Sequence, residues 1–340
     1  MQDGKLGVAV HGAGWVAGAH IEAWLKNPHV RIVSVSSRRR QSAEKLARKY
    51  DLDCTIHDSY DDVLADSAVD IVNLSGPNDV HAPQGIAAAE AGKHILIEKP
   101  MVMSLEENIA LRDAVAKAGV KSVVSFVLRW VSLFDNVKSL IKAGAIGELF
   151  YIEADYWHGL GDYWTGWNWA KTKEQGGSTM LLGGCHAVDI LRWISEDEVV
   201  EVSAMSNNKT GRMAFDANVV AILRFQSGMI GKTSALFDLQ IPYALNVDVA
   251  GTTGTIRDNR VWSKSLLPGQ TGWTVFPSVM PDSGDVAAHP FDGEINDFVD
   301  SILDDKPLHA DIADAYKSHE ICLAIDRSLA EGGRVVKLPL

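Results

Sequence analysis

"VAVHGAGWVAGAH", Val8 to His20, joins an apolar run to a helical pattern through two glycines. A strand that ends in Gly-x-Gly and leads straight into a helix is the setting of a dinucleotide-binding turn. Gly12 permits the tight turn and Gly14 opens the helix. The backbone amides of Gly14, Trp15 and Val16 are then expected to face a pyrophosphate at the helix N-terminus. Ala17 fills the third small position. The competing reading is a glycine-rich turn that binds nothing. The leading strand, the spacing and the alternation that follows favour a cofactor.

Outward from that turn the chain alternates. "VRIVSVSS", "VDIVNLS", "HILIE" and "KSVVSFV" are short apolar runs separated by helical stretches. Apolar strands of about five residues between helices predict a parallel sheet covered on both faces. After the second strand, an acidic residue would accept hydrogen bonds from a ribose 2′-OH and repel a 2′-phosphate. Ser37 stands there, followed by Arg38, Arg39 and Arg40. No carboxylate is present, and a guanidinium can fork onto phosphate. NADP(H) is therefore favoured over NAD(H), which stays open; the bland alternative is a solvated basic run.

From about residue 148 the texture changes to longer strands joined by hairpin-like turns, such as "ELFYIEADYW", "NVVAILRF" and "ALNVDVAG". This predicts a large, mainly antiparallel sheet with helices on one face. The fold expected is thus α/β followed by α+β: a Rossmann domain over 1–125 and a substrate-binding and oligomerisation domain over 126–340. The open face of such a sheet, rich in Val, Ile and Leu, needs cover, which predicts a homodimer or homotetramer. The net charge of -12 repels nucleic acid and anionic lipid. Three scattered cysteines point to a reducing compartment without structural zinc, and no metal-ligand spacing is present. No apolar run approaches the length of a membrane span, so a cytoplasmic protein is expected.

The strand "HILIE" runs into Lys99 and Pro100. A lysine at the carboxyl end of a buried strand beside a cofactor crevice is expected to lose solvent, which lowers its pKa and suits it to proton transfer. The stretches "GPNDVHAP", "AGKHILIEKP", "GELFYIEADY", "GGCHAVDILRW" and "FDGEINDFVDSI" resemble the glucose–fructose oxidoreductase / inositol dehydrogenase / MocA family. The resemblance runs nearly end to end. It implies that Lys99 acts beside the nicotinamide with Glu98 helping to hold it, and that Pro77, Asn78 and His81 border the cofactor. It also implies that His186 acts with the lysine on a substrate hydroxyl, and that Arg129 lines the substrate. Where the family usually has an aspartate four residues before the histidine, this chain has Leu182.

Asp189, three residues after His186 on a helix, is expected to share its face. Asp189 and Asp155 are the candidates to replace the missing carboxylate. Trp157, Trp164, Trp167 and Trp169 place four of ten tryptophans within thirteen residues. Trp164 and Trp167 are expected to offer faces to a sugar, or else to close a core or an interface. The function expected is hydride transfer between a nicotinamide and a secondary hydroxyl of a sugar, glycoside or cyclitol. The alternatives are a hydrolase or epimerase with a tightly held cofactor, and a non-catalytic sensor.

Overall fold

A computed structural model describes residues 4–278, 280 and 289–340. Two compact units divide the chain. The first comprises residues 1–126 and 290–317, the second residues 127–289 and 318–340. Residues 290–317, expected in the second domain, therefore belong to the first.

The first unit holds six parallel strands: β1 (Leu6–His11), β2 (Val30–Ser36), β3 (Thr55–His57), β4 (Ile71–Leu74), β5 (His94–Ile97) and β6 (Ser122–Val124). Their order is β3-β2-β1-β4-β5-β6. The order reverses between β1 and β4, and a crevice outside the carboxyl ends of the strands at such a point is where ligands bind. β4 is buried at every residue and β5 at all but its first, as a sheet covered on both faces requires. Strand β3 and the helix Tyr60–Ala65 lie in a polar stretch without clear periodicity, and a capping box between Ser59 and Asp62 starts that helix.

The returning segment is fastened locally. The helix Phe291–Leu303 buries Phe291, Ile295, Phe298 and Val299, a stripe at helical spacing. Lys26 pairs with Asp292 at 2.7 Å, and Asn27 donates to Asn296 at 2.8 Å. Further along, the Val124 amide on the edge strand donates to the Ala310 carbonyl at 2.8 Å.

The second unit is built on nine strands: β7 (Leu149–Trp157), β8 (Val199–Asn207), β9 (Asn218–Phe225), β10 (Ile230–Leu236), β11 (Ala244–Gly251), β12 (Gly254–Arg257), β13 (Arg260–Ser263), β14 (Thr274–Val275) and β15 (Val336–Lys337). Their order is β14-β13-β12-β11-β7-β10-β9-β8-β15, antiparallel throughout except for β7 beside β10. Alternation sorts the faces: Ile152, Ala154 and Tyr156 point to the covered side with Val219, Ala221 and Leu223. On the other side Met205 is 81% exposed and Ile222 62%. No helix among the described residues is long and apolar enough to cross a membrane.

Candidate active site

The turn after β1 has the shape expected of it. Gly12 adopts φ +114°, and a Cβ there would lie 2.6 Å from the carbonyl carbon and oxygen of Ser75. Only glycine fits both demands. Gly14 caps the helix Trp15–Lys26 with extended backbone, no side chain caps it, and no acid lies in its first turn. Its leading amides are therefore left for an anion, and Gly14 and Trp15 are exposed. This arrangement fits the pyrophosphate of a dinucleotide.

His11 closes β1 at this turn. Its Nδ1 lies 2.7 Å from Ser36 Oγ and its Nε2 3.0 Å from the Gln84 amide nitrogen. That nitrogen donates, so Nε2 accepts and Nδ1 carries the hydrogen. Burial holds His11 down to about 4, which keeps the ring neutral. Past β2, Ser37 donates to the Arg39 carbonyl at 2.8 Å. Arg38 is exposed, whereas Arg40 is tied to Glu44 at 3.0 Å and to Asp58 at 2.6 Å.

After β4 come Pro77 and the buried Asn78, and His81 follows on the next helix. His81 Nδ1 lies 2.7 Å from the Pro100 carbonyl oxygen and Nε2 3.0 Å from that of Gly76. Two acceptors favour a hydrogen on each nitrogen, while burial opposes the charge. Burial is the larger effect and keeps His81 below its usual range. The ring thereby ties the turn after β4 to the turn after β5.

Lys99 stands at the end of β5, half-buried, before a cis Pro100. Glu98 is buried; its Oε2 accepts the Lys99 amide at 3.1 Å and its Oε1 lies 3.2 Å from His20 Nε2. Burial would raise the Glu98 carboxyl, but His20, Lys99 and His81 outweigh it and hold it below the carboxylate range.

In the second unit, a π-helical turn, Met180–Gly184, carries Leu182 and runs into the helix Cys185–Ser195. His186 is buried on that helix, its ring parallel to Tyr156 within 15° at 5.9 Å between centroids. The Tyr156 hydroxyl lies 3.1 Å from His158 Nδ1, and Tyr243 meets both rings edge-on. Burial pushes the Tyr156 hydroxyl up, so it stays protonated.

Both expected carboxylates are engaged away from His186. Asp189 accepts two hydrogen bonds from Arg129, at 2.7 and 2.6 Å, and one from Ser318 at 2.7 Å. The pair is buried at both ends, so Arg129 and Asp189 form an internal clamp where substrate contacts were expected. Asp155 lies on the sheet face opposite Tyr156. Lys232 Nζ is 2.8 Å from one of its oxygens, and Ser234 donates to the other at 2.5 Å. Burial pushes the Asp155 carboxyl up against the opposing pull of Lys232 and Ser234.

Trp167 is buried, with the Lys171 ammonium 5.9 Å and the Arg212 guanidinium 6.0 Å from its ring. Trp164 is half-buried against Trp169, their centroids 5.8 Å apart. Spacing alone could not have found His20 or the fully buried Glu294, since their partners lie far off in the chain. Tyr156 was readable as the inward member of an alternating strand.

A parallel sheet of this order, with an open uncapped helix at its switch point, has the form of a dinucleotide-binding domain. Residues 6–126 match the oxidoreductase family with an NAD-binding Rossmann fold, GFO/IDH/MocA, and residues 134–257 match the C-terminal domain of the same family. The chain belongs to that family. An uncharacterised oxidoreductase of Synechocystis is 30% identical over 56% of this chain, and the match spans only 51% of that relative's own length. The 1,5-anhydro-D-fructose reductase of Ensifer adhaerens is 28% identical over 77% of this chain and 76% of its own. The solved levoglucosan dehydrogenase, in complex with NADH and levoglucosan, superposes with a TM-score of 0.86 at 24% identity, over 98% of this chain and 99% of that one. At that identity the likeness establishes the fold.

Proposed function

We propose that this protein transfers hydride between a nicotinamide cofactor and a secondary hydroxyl of a sugar, glycoside or cyclitol, with Lys99 and His186 as the acid–base groups. The observation that carries this reading is Lys99 at the carboxyl end of β5, one strand beyond the β1–β4 point where strand order reverses, next to the buried carboxylate of Glu98. When bound, the cofactor supplies the hydride acceptor or donor. Gly12 and the amides of Gly14, Trp15 and Val16 hold its pyrophosphate, and the segment Pro77 to His81 borders it. Lys99 donates a hydrogen bond to the reacting oxygen and takes or returns its proton, and His186 shares that proton. The names of relatives support the substrate class: scyllo-inositol, levoglucosan and a D-glucoside occur among them.

The test is nicotinamide absorbance with scyllo-inositol, levoglucosan, 1,5-anhydro-D-fructose and a D-glucoside. Lys99→Ala should lower turnover by about 10²–10⁴ and leave cofactor binding intact. Wild-type turnover in that variant would refute the mechanism.

For the cofactor the reading favours NADP(H), supported by Ser37 and by Arg38, which is exposed and among the described residues held by no ion pair. For assembly it favours a homodimer or homotetramer through the open face of the nine-stranded sheet, supported by exposed Met205, Val220, Ile222 and Ile230. A monomer mass by light scattering at micromolar concentration would refute that.

A further inference from the structure

A chain of polar groups lies buried beneath the Glu98–Lys99–Pro100 turn, and its hydrogens can be assigned one by one. The Trp24 indole N–H can only donate, and it lies 2.8 Å from Asn73 Oδ1. That atom is therefore an acceptor. His20 Nδ1 lies 3.0 Å from the same oxygen, so Nδ1 carries a hydrogen. His20 Nε2 lies 3.2 Å from Glu98 Oε1, within ion-pair reach but off the line of a hydrogen bond. At this fully buried position a neutral ring with its hydrogen on Nδ1 would leave an electron-rich nitrogen beside a carboxylate oxygen with nothing to offset the repulsion. A second proton on the ring would turn this contact into an ion pair.

A second carboxylate belongs to the same cluster. Glu294 is 0% exposed and accepts from Ser125 Oγ at 3.0 Å. The groups acting on it are His20, Glu98 and Ser125; those acting on Glu98 are His20, Lys99 and His81. His20 is met by Glu98, Glu294 and Asn73, and by the edge of the Phe291 ring at 4.9 Å. Lys99 acts on Glu98 but not on Glu294, so a second ionised carboxylate around the one imidazolium would be buried without a cation of its own, which is costly. A proton on Glu294 leaves the cluster neutral.

We propose that His20 is a positioning residue for Lys99: as an imidazolium fixed by Trp24 and Asn73, it holds Glu98 ionised and oriented beneath the lysine, while Glu294 carries the proton that balances the cluster. This rests on the reading of Lys99 as an acid–base group. The titration tendencies agree with the geometry. Burial would lower His20, but Glu98, Glu294 and Asn73 raise it above its usual range, and burial with the Glu98 charge pushes Glu294 up to about 8.

Nitrogen NMR of the histidine rings in the full-length, cofactor-free protein tests the assignment. At pH 7.5 the His20 ring should carry hydrogens on both nitrogens, and Glu98→Gln should return it to a neutral tautomer. His20 is identified by its absence in His20→Gln or, should that variant not fold, by the shift that Trp24→Phe imposes. A neutral His20 in the wild-type protein would overturn the proposal. Kinetics with the fastest sugar of the panel separates the two readings. His20→Gln should lower kcat about 10- to 100-fold with KM and cofactor affinity unchanged, as small misplacements of a reacting group do. Wild-type kcat in His20→Gln beside an inactive Lys99→Ala would sink the positioning role and leave the catalytic one standing. A fully active Lys99→Ala would sink both.

Discussion

Glu294→Gln offers a direct measure of the charge balance beneath the lysine. Burial, then the Glu98 charge, raises the Glu294 carboxyl from 4.5 to about 8, against the opposing effects of His20 and Ser125. Its folded pKa lies above its unfolded one, so the stability it contributes is complete below the unfolded value and is lost as pH rises through the folded value. Each pH unit in between removes about 1.4 kcal/mol. From pH 5 to 8 that amounts to roughly 4 kcal/mol, an upper bound because protein interiors respond as a medium of higher dielectric than dry protein. Glutamine is neutral at every pH, has nearly the same shape, and its carbonyl can accept from Ser125. The stability difference between wild type and Glu294→Gln should therefore swing toward the variant as pH rises across that window. Chemical denaturation of both proteins in parallel at each pH measures it. Parallel stability curves would mean that Glu294 ionises inside the fold as it does in water, and the charge assignment would fail with it.

Arg38→Ala should weaken NADP(H) by about tenfold and leave NAD(H) unchanged, the loss of one charge-assisted contact; calorimetric titration of both cofactors checks it. Asp189→Asn should destabilise the protein by about 3–5 kcal/mol in denaturant, because it leaves the Arg129 guanidinium buried without its carboxylate. A catalytic role confined to Asp189 would instead leave stability intact.

Much of the first unit was legible because its determinants are local. The Gly12–Gly14 turn, the apolar runs and the Lys99–Pro100 step each lie within a few residues, and strand-and-helix alternation leaves little freedom for the sheet. The face assignment of Asp155 was legible too: in "ELFYIEADYW" it alternates with Tyr156, and only one of them can face the covered side. Asp189 was not. Its spacing from His186 is right for a shared helical face, but its carboxylate turns to Arg129, and a partner 60 positions away leaves no local trace. Glu294 was hidden in the same way. On an amphipathic helix a glutamate reads as solvated, and only the docking of that helix in the first unit shows it sealed from water.

The division of the chain has a consequence for how the protein is made. The first unit takes its last segment from residues 290–317, so a ribosome that has released residue 126 must add 191 more before the unit is complete. At about 5–20 residues per second that is roughly 10–40 seconds. For most of that interval the helix Trp15–Lys26 lacks the helix Phe291–Leu303, and Phe291, Ile295 and Phe298 are not yet there to cover it. His20 and Glu98 meanwhile stand without Glu294. The nascent sheet must wait, collapsed but unsealed, and it is in this window that a chaperone would find its apolar surface.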